Sequence, residues 1–151
     1  MPKIYLSPST QEFNNFVTGE SEEYYMNLLA DALVPYLYAN GISYVRNTKD
    51  MTALDNIKAS NSKDYDLHLA LHSNAAPEGE EGKRQGTEVY YFPYSYRGER
   101  MADIIAENFS NIYPHPELIK TLPTTSLGEV DRTRAPSVLV EAAYHDNPSD
   151  A

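Results

Sequence analysis

The sequence predicts a single α/β domain built on a largely parallel, twisted sheet with helices on both faces. Three observations predict it. The chain has 151 residues, the size of one domain. Short apolar runs alternate along it with longer segments of helical periodicity, the order expected of strand–helix–strand units. Its composition, 41% hydrophobic and 23% charged, is that of a chain able to bury a core rather than of a disordered one.

The elements follow in order. Lys3 to Ser7 reads as a short strand stopped by Pro8, and Ser9 to Gly19 as irregular. A helix begins at Ser21, where Met26, Leu28, Leu29, Ala32, Leu33, Tyr36 and Leu37 recur at spacings of three and four. Asn40-Gly41 ends it, and Pro35 inside it predicts a kink. Ile42 to Arg46 is a second strand and Thr52 to Ser62 a second helix. Asp66 to His72 alternates as a third strand, with Leu67, Leu69 and Leu71 on one face and His68, Ala70 and His72 on the other. Ala76 to Gly86, rich in Gly, Glu, Lys and Arg, reads as a surface loop. Gly86 to Phe92 is a strand and Arg97 to Ile112 a helix. Tyr113 to Thr125 holds three prolines and reads as loop, and Ser137 to Ala143 is the last strand. A helix usually covers such a strand, so the expectation is a domain truncated before its C-terminal helix.

Composition excludes several functions. With no cysteine there are no disulfides, thiolate metal sites or cysteine nucleophiles. Twelve Lys and Arg against 22 Asp and Glu leave a net charge of −10. Such a chain is a poor partner for nucleic acid, which is bound by cations that displace counterions. No run approaches the roughly 18 to 20 apolar residues of a membrane span, and the N-terminus lacks the long apolar stretch of a signal peptide. Thirteen tyrosines could stack on sugar rings or fill half-buried surface.

In an open parallel sheet, ligands bind beyond the carboxyl ends of the strands. Ser9 to Asn14, His72-Ser73-Asn74, the loop before the Arg97 to Ile112 helix and Glu141 to Asn147 meet that condition, and Glu20, Glu22 and Glu23 lie at the helix start after the first strand. Histidine with carboxylates suits zinc with an open position for water, and a further Glu can act as general base. Each residue also has a plainer role. His72 can bond a loop, and Glu23 can favour a helix dipole. Glu141 follows Val138-Leu139-Val140, and a buried carboxylate there needs a partner, a proton or a metal. A regular strand sets His68 about 13 Å from His72, too far to share an ion, so His68 is read as structural. His115 carries no signal.

Five stretches together resemble the zinc-dependent N-acetylmuramoyl-L-alanine amidases of the Amidase_3 type, peptidoglycan hydrolases of bacteria and their phages. Glu23-Tyr24-Tyr25-Met26-Asn27-Leu28 is similar to that family's Glu-x-x-x-Asn-Leu helix start, and Asp66 to Ala75 to its strand ending in His-x-Asn-Ala. Gly86-Thr87-Glu88-Val89-Tyr90-Tyr91 and Ala135 to Glu141 resemble its Gly-x-Glu-Val-Tyr-Tyr and Ala-Pro-Ala-Val-Leu-Val-Glu strands, and Tyr144 to Asn147 its aromatic-x-x-Asn. The resemblance implies a Zn2+ cofactor, with Glu23 and His72 as ligands and Glu141 as the catalytic base. It departs at Ser7 to Asn14, where the family has a ligand His and this chain has none. Thr10 aligns with that His, and Gln11 and Asn14 are the nearest polar substitutes, with Gln11 the expected ligand. Asn14, Asn74 and Arg132 are expected to bind substrate. The family's Arg aligns with Asp131, beside Arg132 and Arg134.

The expected function is zinc-dependent hydrolysis of the amide between N-acetylmuramic acid and L-alanine in peptidoglycan or a muropeptide. The alternatives are a non-catalytic relative that binds peptidoglycan or a partner, favoured by the missing His, and a zinc exopeptidase of similar architecture. The chain is expected to be made in the cytoplasm and to act on the wall after release or export.

Overall fold

Six strands form one sheet in the order β2-β1-β3-β6-β4-β5. The computed structural model describes all 151 residues. The elements run β1 (Lys3–Pro8), α1 (Glu22–Ala39), β2 (Ser43–Arg46), α2 (Ala53–Asn61), β3 (Leu67–Asn74), β4 (Glu88–Tyr91), α3 (Tyr96–Phe109), β5 (Lys120–Pro123), α4 (Gly128–Asp131) and β6 (Ser137–Tyr144), with a 3-10 turn at Pro116–Leu118. Pairing is parallel throughout except between β4 and β6.

Side-chain alternation sorts the strands' two faces. Ile4, Leu6, Leu67, Leu69, Leu71, Val89, Val138 and Val140 face one side and share a core with Met26, Ala30 and Leu37 of α1 and Ala102 of α3. On the other side Ala70 and Leu139 pack with Val130 of α4, and the buried Tyr5 and His68 stack face to face. The second face carries far more polar groups. The starts of α1, α2 and α3 are each capped by a hydroxyl. Ser21 accepts from the Tyr24 amide, Thr52 forms a capping box with Asp55, and Ser95 accepts from the Gly98 amide.

The predicted strands and the three long helices are all present. Pro35 does not interrupt α1, which runs on to Ala39. Two elements lie where loop or nothing was read. β5 is four residues long and ends on Pro123, at the sheet edge, where proline is tolerated. α4 is a single turn, too short to show a period. No helix is long and apolar enough to cross a membrane.

Candidate functional site

Parallel pairing brings the carboxyl ends of β1, β3 and β6 to one rim. The antiparallel β4 adds its amino end to the same rim, since Glu88 pairs with Glu141 and Glu141 with His72. The strand register therefore places His72, Glu141 and Glu88 side by side on one face.

Glu129, on α4, lies between two histidines. Its Oε1 is 3.0 Å from His68 Nε2 and accepts a 2.5 Å hydrogen bond from the Ser7 hydroxyl. Its Oε2 is 3.2 Å from His72 Nε2. The two histidines are four residues apart along β3 and point to the same face, so one carboxylate between them reaches both. Burial opposes charge on Glu129, but the hydrogen bonds and charges of His68 and His72 outweigh it and hold the carboxyl down at about 2. Burial likewise works against charge on His72. The Glu129 hydrogen bond and the nearby carboxylates of Glu129, Glu141 and Glu22 prevail and raise its pKa.

A second carboxylate, Glu22, closes the rim from the α1 side. It is 1% exposed. Its Oε2 accepts from the Ser9 hydroxyl at 2.6 Å, and its Oε1 from the Ser73 amide at 2.6 Å and the Ser73 hydroxyl at 2.9 Å. Ser73 has one hydroxyl proton and gives it to Glu22, so it accepts from His145 Nδ1 at 2.9 Å. His72 Nδ1 stands 4.0 Å from Glu22 Oε2.

Glu141 differs from both. Its Oε2 is buried and has no hydrogen-bond partner. Burial pushes its carboxyl up to about 8, against the pull of His72 and with the Glu22 and Glu88 charges adding to the rise. At neutral pH it is mostly protonated. Glu88 is instead fully engaged, accepting from Tyr144 at 3.0 Å, Tyr90 at 2.5 Å and Asn74 at 3.1 Å.

None of the remaining expected site residues makes a side-chain hydrogen bond to His72. Glu23 faces the neighbouring cleft of about 800 Å³ between the Thr10–Phe13 loop and the start of α2, with Lys49 Nζ 3.9 Å from its carboxylate. Gln11 lines the same cleft, and its side-chain oxygen accepts from Asn14. The Asn14 carbonyl accepts from the Glu22 amide at 2.6 Å. Asn74 is on the rim, bonded to Glu88. Arg132 is exposed at the end of α4, where its carbonyl accepts from Asn61, and no hydrogen bond joins it to His72, Glu129 or Glu141.

The zinc expectation is therefore corrected. No group of three or more His, Asp or Glu side chains is arranged to hold a metal ion. The physical reason is visible in the donors. His72 Nε2 is turned to Glu129, both oxygens of Glu22 are spent on Ser9 and Ser73, and Glu23 and Gln11 face the adjoining cleft. Zn2+ as cofactor and zinc-dependent hydrolysis as the reaction fall with that finding.

Sequence reasoning weighed Glu22 but chose Glu23 over it, and it missed Glu129. A signal existed for Glu22. It stands four and eight residues before Met26 and Ala30, and all three share the buried face of α1, whereas Glu23 is turned about 100° away. Glu129 carried none, because a one-turn helix has no readable period.

A family model described as N-acetylmuramoyl-L-alanine amidase matches residues 10–151. No curated protein matches the chain. Among solved structures, an N-acetylmuramoyl-L-alanine amidase from Clostridium difficile 630 is similar at a TM-score of 0.80 and 16% identity, covering 99% of this chain and 83% of that one. The catalytic domain of the CD27L endolysin targeting Clostridia difficile gives 0.76 at 22% identity, over 99% and 86% of the two chains. The catalytic domain of CwlV, an amidase from Bacillus (Paenibacillus) polymyxa var. colistinus, gives 0.79 at 16%, over 99% and 84%. At these identities the likeness shows the fold.

Proposed function

Because the chain belongs to the N-acetylmuramoyl-L-alanine amidase family, a class of amide hydrolases, we propose that it recognises a muropeptide at the rim of β1, β3 and β6 without a catalytic zinc. The observation that carries this reading is Glu129 seated between His68 and His72. A carboxylate with both oxygens committed, and a histidine committed to it, leave no vacant donor set for an ion. Polar groups remain to meet a ligand, namely the rim amide of Asn74, the proton on Glu141 and the open cleft beside Glu23. Action on the wall after release or export belongs to the same proposal.

Binding of a soluble muropeptide to metal-free protein, with and without added zinc, tests it. Saturable binding that zinc does not alter supports the reading. Amide cleavage that appears only with zinc overturns it.

A second reading keeps hydrolysis without a metal, and Glu141 favours it. A buried carboxyl with one free oxygen, held protonated up to about 8, can carry a proton to a leaving amine. Cleavage that persists in chelator and falls by a factor on the order of 10² to 10⁴ in Glu141→Gln supports this reading. No cleavage in chelator removes it.

A further inference from the structure

The strand register continues beyond the site. Lys120 on β5 pairs with Glu88, Glu88 with Glu141, and Glu141 with His72. Directly paired residues point to the same face, so these four form one row across four adjacent strands. At about 4.8 Å per strand, Lys120 stands about 14 Å from His72. The row ends in a cleft of about 480 Å³ lined by Lys83, Arg84, Gln85, Glu88, Lys120 and Tyr144, with Leu118 at its edge. Three cations there stand out in a chain of net charge −10. Arg84 is committed to Glu80, with Nε 2.5 Å from Oε2. Lys83 Nζ reaches only the Gly79 carbonyl, at 3.3 Å. Lys120 is exposed, and its ammonium is in no hydrogen bond or ion pair. Glu88, the one acid in the lining, has both oxygens tied to Tyr144, Tyr90 and Asn74. Two ammonium groups without an acidic partner therefore line an open cleft.

We propose that this basic cleft holds the terminal carboxylate of a peptide whose muramoyl end lies at His72 and Glu141. This rests on the muropeptide reading above and deepens it. An extended peptide rises about 3.3 Å per residue, so about 14 Å is spanned by four residues. The cleft therefore selects a free-acid stem of about four residues and is out of reach of a stem of two.

The test measures binding of three probes to the full chain by calorimetry: muramoyl dipeptide, muramoyl tetrapeptide with a free C-terminal carboxylate, and the same tetrapeptide as its C-terminal amide. Each is measured with the parent, with Lys83→Gln/Lys120→Gln, and with Lys58→Gln/Lys63→Gln as a control of equal net charge on two exposed lysines outside the cleft. All sites substituted are exposed, so the fold is retained. The free-acid tetrapeptide is expected to bind the parent and Lys58→Gln/Lys63→Gln about tenfold more tightly than Lys83→Gln/Lys120→Gln, two exposed charge contacts' worth. The amide and the dipeptide are expected to bind all three proteins alike. Equal binding of the free-acid tetrapeptide to parent and Lys83→Gln/Lys120→Gln, with the dipeptide still bound, overturns the cleft assignment alone. Failure of every probe to bind the parent overturns the muropeptide reading and the cleft with it.

Discussion

Removing the Glu129 carboxylate orphans Ser7, His68 and His72 at once, because all three direct hydrogen bonds at it. Breaking a buried ionic pair by deleting one partner typically costs about 3 to 5 kcal/mol. Glu129→Ala is therefore expected to lose that much in urea unfolding, and Glu129→Gln less, since the amide oxygen in place of Oε1 still accepts from Ser7 and His68, two of the three bonds. A loss under about 1 kcal/mol for Glu129→Ala would show the bridge is not a structural centre. The pH dependence separates the groups. Glu129 is depressed, so its contribution is present above its unfolded value and is lost as pH falls towards about 2. His72 is raised, so its contribution is full below its unfolded value and is lost as pH rises through its folded one. Glu141 is also raised. The fold holds its proton between about 4.5 and 8, and stability falls as pH rises through that window. Glu141→Gln should leave stability unchanged at pH 4 and raise it at pH 8 by up to a few kcal/mol, as each pKa unit is worth about 1.4 kcal/mol. Equal melting temperatures for parent and variant across pH 4 to 8 would remove the buried-proton account.

At the scale of elements, two turns carry the rim. Gly86 opens β4 at a φ of +124°, and a Cβ there would overlap the Leu118 carbonyl ahead of β5. Gly79 has a φ of +87° with nothing near its absent side chain. Gly86→Ala should therefore destabilise the chain well beyond the roughly 1 kcal/mol of backbone strain expected for Gly79→Ala. Comparable melting temperatures for the two variants would contradict it. Ser21 sets the start of α1 and with it the direction of Glu22. Its loss as an N-cap, in Ser21→Ala, should cost about 1 kcal/mol by denaturant unfolding. The alternating strand Asp66 to His72 and the three- and four-residue spacing of α1 were legible in the sequence because long elements repeat their period several times. α4 and β5 repeat theirs once at most, so Glu129 and Lys120 were not. Glu141 was legible for a different reason, a charge ending an apolar run. The choice between Glu22 and Glu23 went to a motif spacing in the resemblance, whereas the packing of α1 against Met26 and Ala30 is what turns Glu22 inward.

Across the whole molecule, an excess of ten negative charges coexists with four buried or half-buried carboxylates on one rim, and the rim is stable only because protons, hydroxyls, an amide and histidines meet them. A cation could meet them too, and the account turns on whether one does. Metal content and calorimetric zinc titration of chelator-treated protein, run in parallel on the parent, Glu22→Gln and His72→Ala, decide this most directly. The account predicts no stoichiometric zinc on any of the three, with Glu129 holding His72 in the parent. One zinc per chain in the parent, lost in both variants, would contradict it.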